Sequence, residues 1–189
     1  MNGLRRVVNN TVISLLGQAI TWTSTLLLTI AYGRFLGVVR FGELYFAITF
    51  VLLIGFPLEF GFNQQLTRDV AQDPNKALRY FSNTLLIKIT LWFVLYGLIL
   101  LLCWLLGYSM EERVLVAICG ITLLSTSIAN TFAALHYAFE RTLFPSAGMM
   151  LEKGLSALVG IILLRHGAGV QAMALVLLGG SLILSLIHI

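Results

Sequence analysis

Four ionisable residues interrupt otherwise apolar stretches of the sequence: Glu59, Lys88, Glu152 and Lys153. A charged side chain is costly in apolar surroundings unless it is paired or hydrated. These residues therefore indicate one of two arrangements. Either they form ion pairs within the fold, or they line a path that a substrate, a proton or another ion follows.

A row of polar side chains runs along the first apolar stretch at intervals of three or four residues. This spacing places them on one face of an α-helix, whereas the opposite face is rich in Ile, Leu and Val. Packing through Ser and Thr against another helix is one explanation. A row of this length favours the other, the wall of a hydrated cavity. The row comprises Thr11, Ser14, Gln18, Thr21, Thr25, Thr29 and Tyr32.

Two further stretches carry polar or aromatic side chains at a similar spacing, so we expect the three helices to share one central cavity. In the second stretch they are Tyr45, Thr49, Phe56, Glu59 and Asn63. In the fourth they are Thr122, Thr126, Asn130, Tyr137 and Glu140.

The elements that must position these side chains are long apolar segments. Charged residues make up 11% of the chain, against roughly 25% in an ordinary soluble domain, and the mean hydropathy is +0.95. A bilayer core needs about 20 apolar residues of helix to cross it, and a helix satisfies its own backbone polar groups in lipid. The sequence therefore predicts an all-α, polytopic transmembrane bundle. Its helices lie at about residues 10–32, 42–60, 83–106, 114–137, 145–164 and 167–189.

The depth of the four charges within these helices leaves their roles open. Lys88 lies near the start of helix three, where snorkelling to the interface explains it. Glu59 ends helix two, as a solvated terminal residue does, and Pro57 just before it predicts a kink. Glu152 and Lys153 lie deeper in helix five, where they form an ion pair or line a substrate or proton path.

The distribution of basic residues predicts a cytoplasmic N-terminus, because cytoplasmic segments carry the excess of Lys and Arg. The net charge of +4 needs no nucleic-acid partner, since juxtamembrane basic residues account for it. Eight basic residues fall on the predicted inner side: Arg5, Arg6, Arg68, Lys76, Arg79, Lys88, Arg141 and Lys153. Four fall on the outer side: Arg34, Arg40, Arg113 and Arg165.

The remaining reactive side chains form no pattern of a catalytic or metal site. Cys103 and Cys119 lie inside apolar helices, where they are best interpreted as small apolar residues. His136, His166 and His188 show no metal-ligand spacing. The sequence also contains no nucleophile motif and no glycine-rich phosphate loop, so we predict neither an enzyme nor a cofactor or metal site.

Several loop motifs follow one another in a recognisable order. Residues 34–42 read Arg-x-Leu-Gly-x-x-x-Phe-Gly, Glu59-Phe60-Gly61 ends the second helix, and residues 67–71 read Thr-Arg-x-x-Ala. Residues 137–141, Tyr-Ala-Phe-Glu-Arg, precede Pro145, and residues 6–17 include Asn10-Thr11 before an apolar run. Together they resemble the polysaccharide and O-antigen flippases of the multidrug, oligosaccharidyl-lipid and polysaccharide exporter superfamily.

The resemblance implies a two-lobed exporter that moves a polyprenyl diphosphate-linked oligosaccharide from the cytoplasmic to the outer leaflet by alternating access. Residues 1–189 would be its N-terminal lobe, since the last apolar segment shows no basic flank or polar stop and the chain is expected to be truncated there. The implied location is the cytoplasmic membrane of a bacterium or archaeon. The implied partners are the lipid-linked oligosaccharide, membrane lipid, and a polysaccharide polymerase with its chain-length regulator.

The same resemblance nominates site residues. An arginine fork suits a diphosphate, and hydroxyl and amide side chains suit sugars. The candidates for substrate binding are Arg34, Arg68, Arg141, Gln18, Thr21, Thr25 and Asn130. Each arginine could equally be an interface anchor. The candidates for ion coupling or pairing are Glu59, Lys88, Glu152 and Lys153.

Two other functions remain open. A multidrug or cation antiporter of the same superfamily would need acidic residues deep in the cavity, and helices one and two have none at mid-depth. A membrane glycosyltransferase or polysaccharide polymerase would need a long external loop with catalytic side chains, and the external loops are short.

Overall fold

The computed structural model describes residues 2–188, and the side chains among them from Thr11 to Leu186 apart from Ile13. Within this part of the chain the fold is entirely helical. Two short 3-10 turns, Phe56–Glu59 and Pro74–Lys76, join longer helices. The α-helices are α1 (Asn2–Phe35), α2 (Gly37–Gly55), α3 (Phe62–Gln72), α4 (Ala77–Leu105), α5 (Met110–Ala138), α6 (Leu143–Arg165) and α7 (Val170–His188).

Five stretches of helix are long and apolar enough to cross a membrane, which confirms the predicted all-α, polytopic transmembrane bundle. They are Ser14–Phe35, Gly37–Gln72, Pro74–Leu105, Met110–Ala138 and Leu143–Arg165. Helix α7 carries a shorter apolar segment, Val170–Leu186.

The structure contains one helix that the sequence analysis did not predict. Helix α3 follows the turn at Gly61, whose φ of 79° is left-handed and suits glycine. The helix is amphipathic: Leu66 and Val70 are buried beside Ala134, and its other face is polar. A search for uniformly apolar segments misses such a helix. The predicted kink at Pro57 is instead the end of α2, at Gly55, followed by a 3-10 turn.

Five of the six predicted helices begin earlier than expected, and the difference is largest for α1 and α4. Helix α1 begins at Asn2 rather than near residue 10, and α4 begins at Ala77 rather than near residue 83. The expected starts mark where the apolar stretch begins, whereas helical hydrogen bonding continues through the polar residues before it. Lys88 therefore lies about 17 Å from the first residue of α4.

Helix α5 is the centre of the bundle. Half of the residues in its most apolar segment are buried, a larger share than in any other of the five spans. The helix contacts α2, α3, α4 and α7. Helix α1 packs mainly on α6 rather than on its neighbour α2. As a result, α1 and α2 meet over a small area and leave room between them.

The contact of α4 with α5 depends on a glycine. The indole N–H of Trp92 donates to the carbonyl oxygen of Gly120 at 2.9 Å, and a Cβ at Gly120 would lie 2.5 Å from the ring of Tyr96. We expect Gly120→Leu to lower the free energy of unfolding by about 1–3 kcal/mol through overpacking.

Denaturation of the detergent-solubilised protein measures this change. The matched control is Gly97→Leu on α4, since a Cβ at Gly97 has no neighbour within 4 Å. Equal losses in the two variants would contradict close packing at Gly120.

Candidate functional site

A cavity of about 330 Å³ lies between α1, α2, α5 and α6, and Leu177 of α7 completes its wall. We call it the central cavity. Apolar side chains line much of it, and polar side chains contributed by four helices provide hydrogen-bonding groups. The polar members are Ser24, Thr25, Thr29, Tyr32, Tyr45, Thr122, Thr126, Glu152, Lys153 and Ser156.

One ion pair lies in this wall. The Lys153 ammonium donates to Glu152 Oε1 at 2.8 Å. The side chain of Glu152 is 8% exposed and that of Lys153 is 38% exposed. Glu152 lies about 14 Å along α6 from its start, so the carboxylate is at mid-depth of the helix. Of the two arrangements left open by the sequence, the structure shows mutual pairing within a cavity wall.

Two buried hydroxyl groups in the same wall have no hydrogen-bond partner. They belong to Tyr32 and Ser156, and each of these residues is 4% exposed. Buried hydroxyls in proteins are nearly always hydrogen-bonded. An unpartnered hydroxyl on a cavity wall therefore indicates a place where a bound molecule supplies the partner.

The polar row of α1 divides between two environments. Thr25, Thr29 and Tyr32 line the central cavity, whereas Gln18 and Thr21 lie outside the cavity lining. The hydroxyl of Thr25 donates to the carbonyl of Thr21 at 2.9 Å, and that of Thr29 contacts Tyr45 Oη at 3.2 Å. Only the second half of the row thus lies where we expected a cavity wall.

Lys88 occupies a separate buried cluster. Its ammonium donates to Glu59 Oε1 at 3.2 Å, Asn63 Oδ1 at 3.0 Å and Ser127 Oγ at 3.1 Å. Asn63 Nδ2 in turn donates to Glu59 Oε2 at 2.7 Å. The cluster connects the turn after α2, and the start of α3, to α4 and α5.

The cluster corrects two interpretations of single residues. The Lys88 side chain is 2% exposed and its ammonium is hydrogen-bonded inside the bundle, so it does not snorkel to the interface. Glu59 is 34% exposed and accepts from Lys88 rather than standing as a solvated helix end. Neither residue lines the central cavity.

A second pocket, of about 520 Å³, lies between α3 and α5 and brings together two of the predicted binding residues, Arg68 and Asn130. Gln64, Thr67 and Tyr137 also line it. We call it the α3–α5 pocket. The hydroxyl of Thr67 donates to the carbonyl of Ala134 at 3.1 Å, which fixes α3 against α5.

The three candidate arginines do not form one site. Arg34 is exposed at the end of α1, with its guanidinium 5.8 Å from the ring of Phe35. That end also holds the 2.8 Å ion pair of Arg40 with Glu111, which joins the starts of α2 and α5. Arg68 and Arg141 belong to the opposite end of the bundle, where α3 and the end of α5 lie. Arg141 is exposed in the turn after α5.

Three residues of the central cavity with a hydroxyl or thiol group were not assigned to a cavity by the sequence analysis: Ser24, Cys119 and Ser156. Ser156 follows Glu152 by one helical turn, a spacing that could have been noticed. Cys119 lines the cavity as well as belonging to the apolar core, and nothing in its sequence context distinguishes it. Within the described residues no group of three His, Cys, Asp or Glu side chains could hold a metal ion.

These features define a class: a multi-pass helical membrane protein whose bundle contains a largely apolar cavity bordered by several hydroxyl groups and one ion pair. Residues 7–189 match the family described as polysaccharide biosynthesis protein, and the chain belongs to that family. Bundle and family together make it a membrane transport protein of polysaccharide biosynthesis. Comparison with curated proteins and with solved structures gives no significant match.

We expect water to reach Thr25 through the central cavity. In a background in which Cys103 and Cys119 are replaced by Ala, Thr25→Cys should react with a small, water-soluble thiol reagent. Thr23→Cys should react slowly. Thr23 is exposed on α1 outside the cavity lining, where lipid rather than water would surround it. Both native hydroxyls donate to the carbonyl four residues earlier, which makes the pair well matched. Equal labelling of the two cysteines in intact cells would argue against a hydrated cavity.

Proposed function

We propose that the chain belongs to a transporter, not an enzyme, that flips a polyprenyl diphosphate-linked oligosaccharide across the cytoplasmic membrane of a bacterium or archaeon. In this proposal residues 1–189 form one lobe of a two-lobed protein that works by alternating access. The observation that carries it is the central cavity: a largely apolar space bordered by several hydroxyl groups and one ion pair, inside the bundle of a polysaccharide biosynthesis protein.

The chemistry of the cavity suits the three parts of such a substrate. Hydroxyl side chains such as Thr25, Thr126 and Tyr45 exchange hydrogen bonds with sugar hydroxyls. The ammonium of Lys153 suits a phosphate as a point charge. The lipid tail requires only apolar surface, which the outward face of α1 supplies through exposed residues such as Leu16 and Leu26.

One observation favours the cation antiporter as a second candidate. Glu152 is an acidic residue at mid-depth of the cavity, contributed by α6 rather than by α1 or α2. The carboxylate is 8% exposed and already accepts from the Lys153 ammonium at 2.8 Å, whereas the ammonium is 38% exposed, so the pair presents its cationic member to the cavity more than its anionic one. The flippase is therefore the better supported of the two.

We propose that the N-terminus is cytoplasmic, as the basic residues predict. The turn after Gln72 at the end of α3 would then be cytoplasmic, and Tyr108 between α4 and α5 would be external. Reporter fusions after these two residues test the orientation. A cytoplasmic signal after Tyr108 with an external signal after Gln72 would reverse it.

Deletion of the gene that encodes the chain tests the flippase proposal. We expect loss of surface polysaccharide and accumulation of the lipid-linked oligosaccharide in the inner leaflet, where a membrane-impermeant lectin applied to spheroplasts cannot reach it. A plasmid copy of the gene should reverse both effects. Unchanged surface polysaccharide together with an unchanged lipid-linked pool would contradict the proposal, and would also remove the argument for a polymerase and chain-length regulator as partners.

A further inference from the structure

The ion pair of the central cavity joins neighbouring residues of one helix. Side chains at positions i and i+1 of an α-helix point about 100° apart and do not face each other. Lys153 therefore reaches Glu152 across the helix surface, at 2.8 Å. Its side chain is 38% exposed against 8% for Glu152. The pair consists of a fixed, buried carboxylate and a long, accessible ammonium.

A second hydrogen-bond donor stands next to the carboxylate. The Ser156 hydroxyl is buried and unpartnered, and Ser156 follows Glu152 by one turn on the same face of α6. A Cβ built on Gly180 of α7 would touch both Ser156 Oγ and Glu152 Cγ, so the two side chains lie side by side. If Lys153 moved away, the carboxylate could accept a hydrogen bond from Ser156.

We propose that Lys153 is the oxyanion-binding group of the central cavity, and that Glu152 is the partner it holds while the cavity is empty. When an oxyanion enters, the ammonium transfers from the carboxylate to the ligand, and the Ser156 hydroxyl turns to the carboxylate. No other lysine or arginine lines the described wall of the cavity. The ligand oxyanion is a diphosphate or the carboxylate of an acidic sugar, and its identity rests on the proposed function.

Binding of a fluorescent polyprenyl diphosphate to the full chain in lipid nanodiscs tests this assignment, with the uncharged polyprenol as reference. We expect Lys153→Gln to weaken diphosphate binding about tenfold or more, as loss of a charged hydrogen bond does, and to leave polyprenol binding unchanged. Lys153→Arg should retain most of the affinity, since it keeps a cationic donor.

The variant Glu152→Gln distinguishes oxyanion binding by Lys153 from a purely structural role of the ion pair. Removing the competing carboxylate should tighten diphosphate binding, an effect that misfolding cannot produce. The double variant Glu152→Gln with Lys153→Gln should bind as weakly as Lys153→Gln alone. Restoration of wild-type affinity in the double variant, or unchanged affinity in Lys153→Gln, would overturn the proposal. Lys76→Gln, which removes an exposed ammonium outside the cavity, is the control.

Two further experiments identify the oxyanion and distinguish failure of the Lys153 assignment from failure of the proposed function. Displacement of the probe by a glucuronate-bearing oligosaccharide, but not by its neutral counterpart, would show that the site also takes the carboxylate of an acidic sugar; failure to displace would restrict it to the diphosphate. A gene deletion that leaves export unchanged would contradict the flippase while the Lys153-dependent binding stood. Export that fails on deletion but survives Lys153→Gln with unchanged binding would contradict only the assignment to Lys153.

Discussion

Glu59→Ala should destabilise the folded bundle by about 3 kcal/mol, the lower end of the cost of removing one partner from a buried ion pair. The variant leaves the ammonium of Lys88 buried, with its side chain 2% exposed, and without a counter-charge. Asn63 and Ser127 still accept from it, which keeps the expected loss from being larger. Equilibrium unfolding of the purified protein in mixed micelles measures the change.

The matched control is Glu43→Ala. Glu43 also pairs with a basic residue, Arg40, at 3.0 Å, but the Arg40 side chain is 49% exposed and keeps a second partner in Glu111. A surface ion pair contributes at most about 1 kcal/mol, so this variant should unfold nearly as the natural protein does. Similar losses in the two variants would show that burial of Lys88 is not the cause.

A double replacement sharpens the same prediction. Glu59→Leu combined with Lys88→Met removes both charges and fills the space with apolar atoms, which is often neutral or stabilising at buried ion pairs. We expect the double variant to be more stable than Glu59→Ala. Should it be less stable, the hydrogen bonds to Asn63 and Ser127 would outweigh the charge pair.

Thr25→Trp should reduce polysaccharide export about tenfold or more while leaving membrane insertion intact. The indole is far larger than the threonine side chain and would fill much of the 330 Å³ central cavity beside Glu152 and Lys153. A substrate that must pass through the cavity is then blocked by volume alone, whatever the residues that bind it. Surface polysaccharide per unit of inserted protein is the measurement.

Thr23→Trp provides the control for this variant. Thr23 lies two residues earlier on α1, outside the cavity lining, and its hydroxyl makes the same type of bond to the carbonyl four residues before it. An exposed indole on a membrane helix is well tolerated, and Trp22 is already 70% exposed. Export that survives Thr25→Trp, or fails equally with Thr23→Trp, would place the transport route outside the central cavity.

The class of the protein could be predicted from the sequence because it depends on local properties. Membrane crossing is decided by the length and apolarity of each segment, so the bundle follows from composition and spacing alone. The polar row of α1 follows from helical periodicity in the same way. The amphipathic helix α3 is the exception, since seven of its eleven residues are polar and only its contact with Ala134 shows which face is buried.

The roles of the charges were decided by the tertiary structure. Glu59, Asn63 and Ser127 contact Lys88 across 29, 25 and 39 residues of sequence, and no local pattern indicates such partners. The packing of α1 on α6 likewise determines that Thr25 lines the cavity while Gln18 does not. The sequence by itself determined which segments enter the membrane and which of their residues are costly there. The tertiary structure decided which side chain pairs with each buried charge, because pairing depends on which helices pack together and on the position along each helix at which they meet.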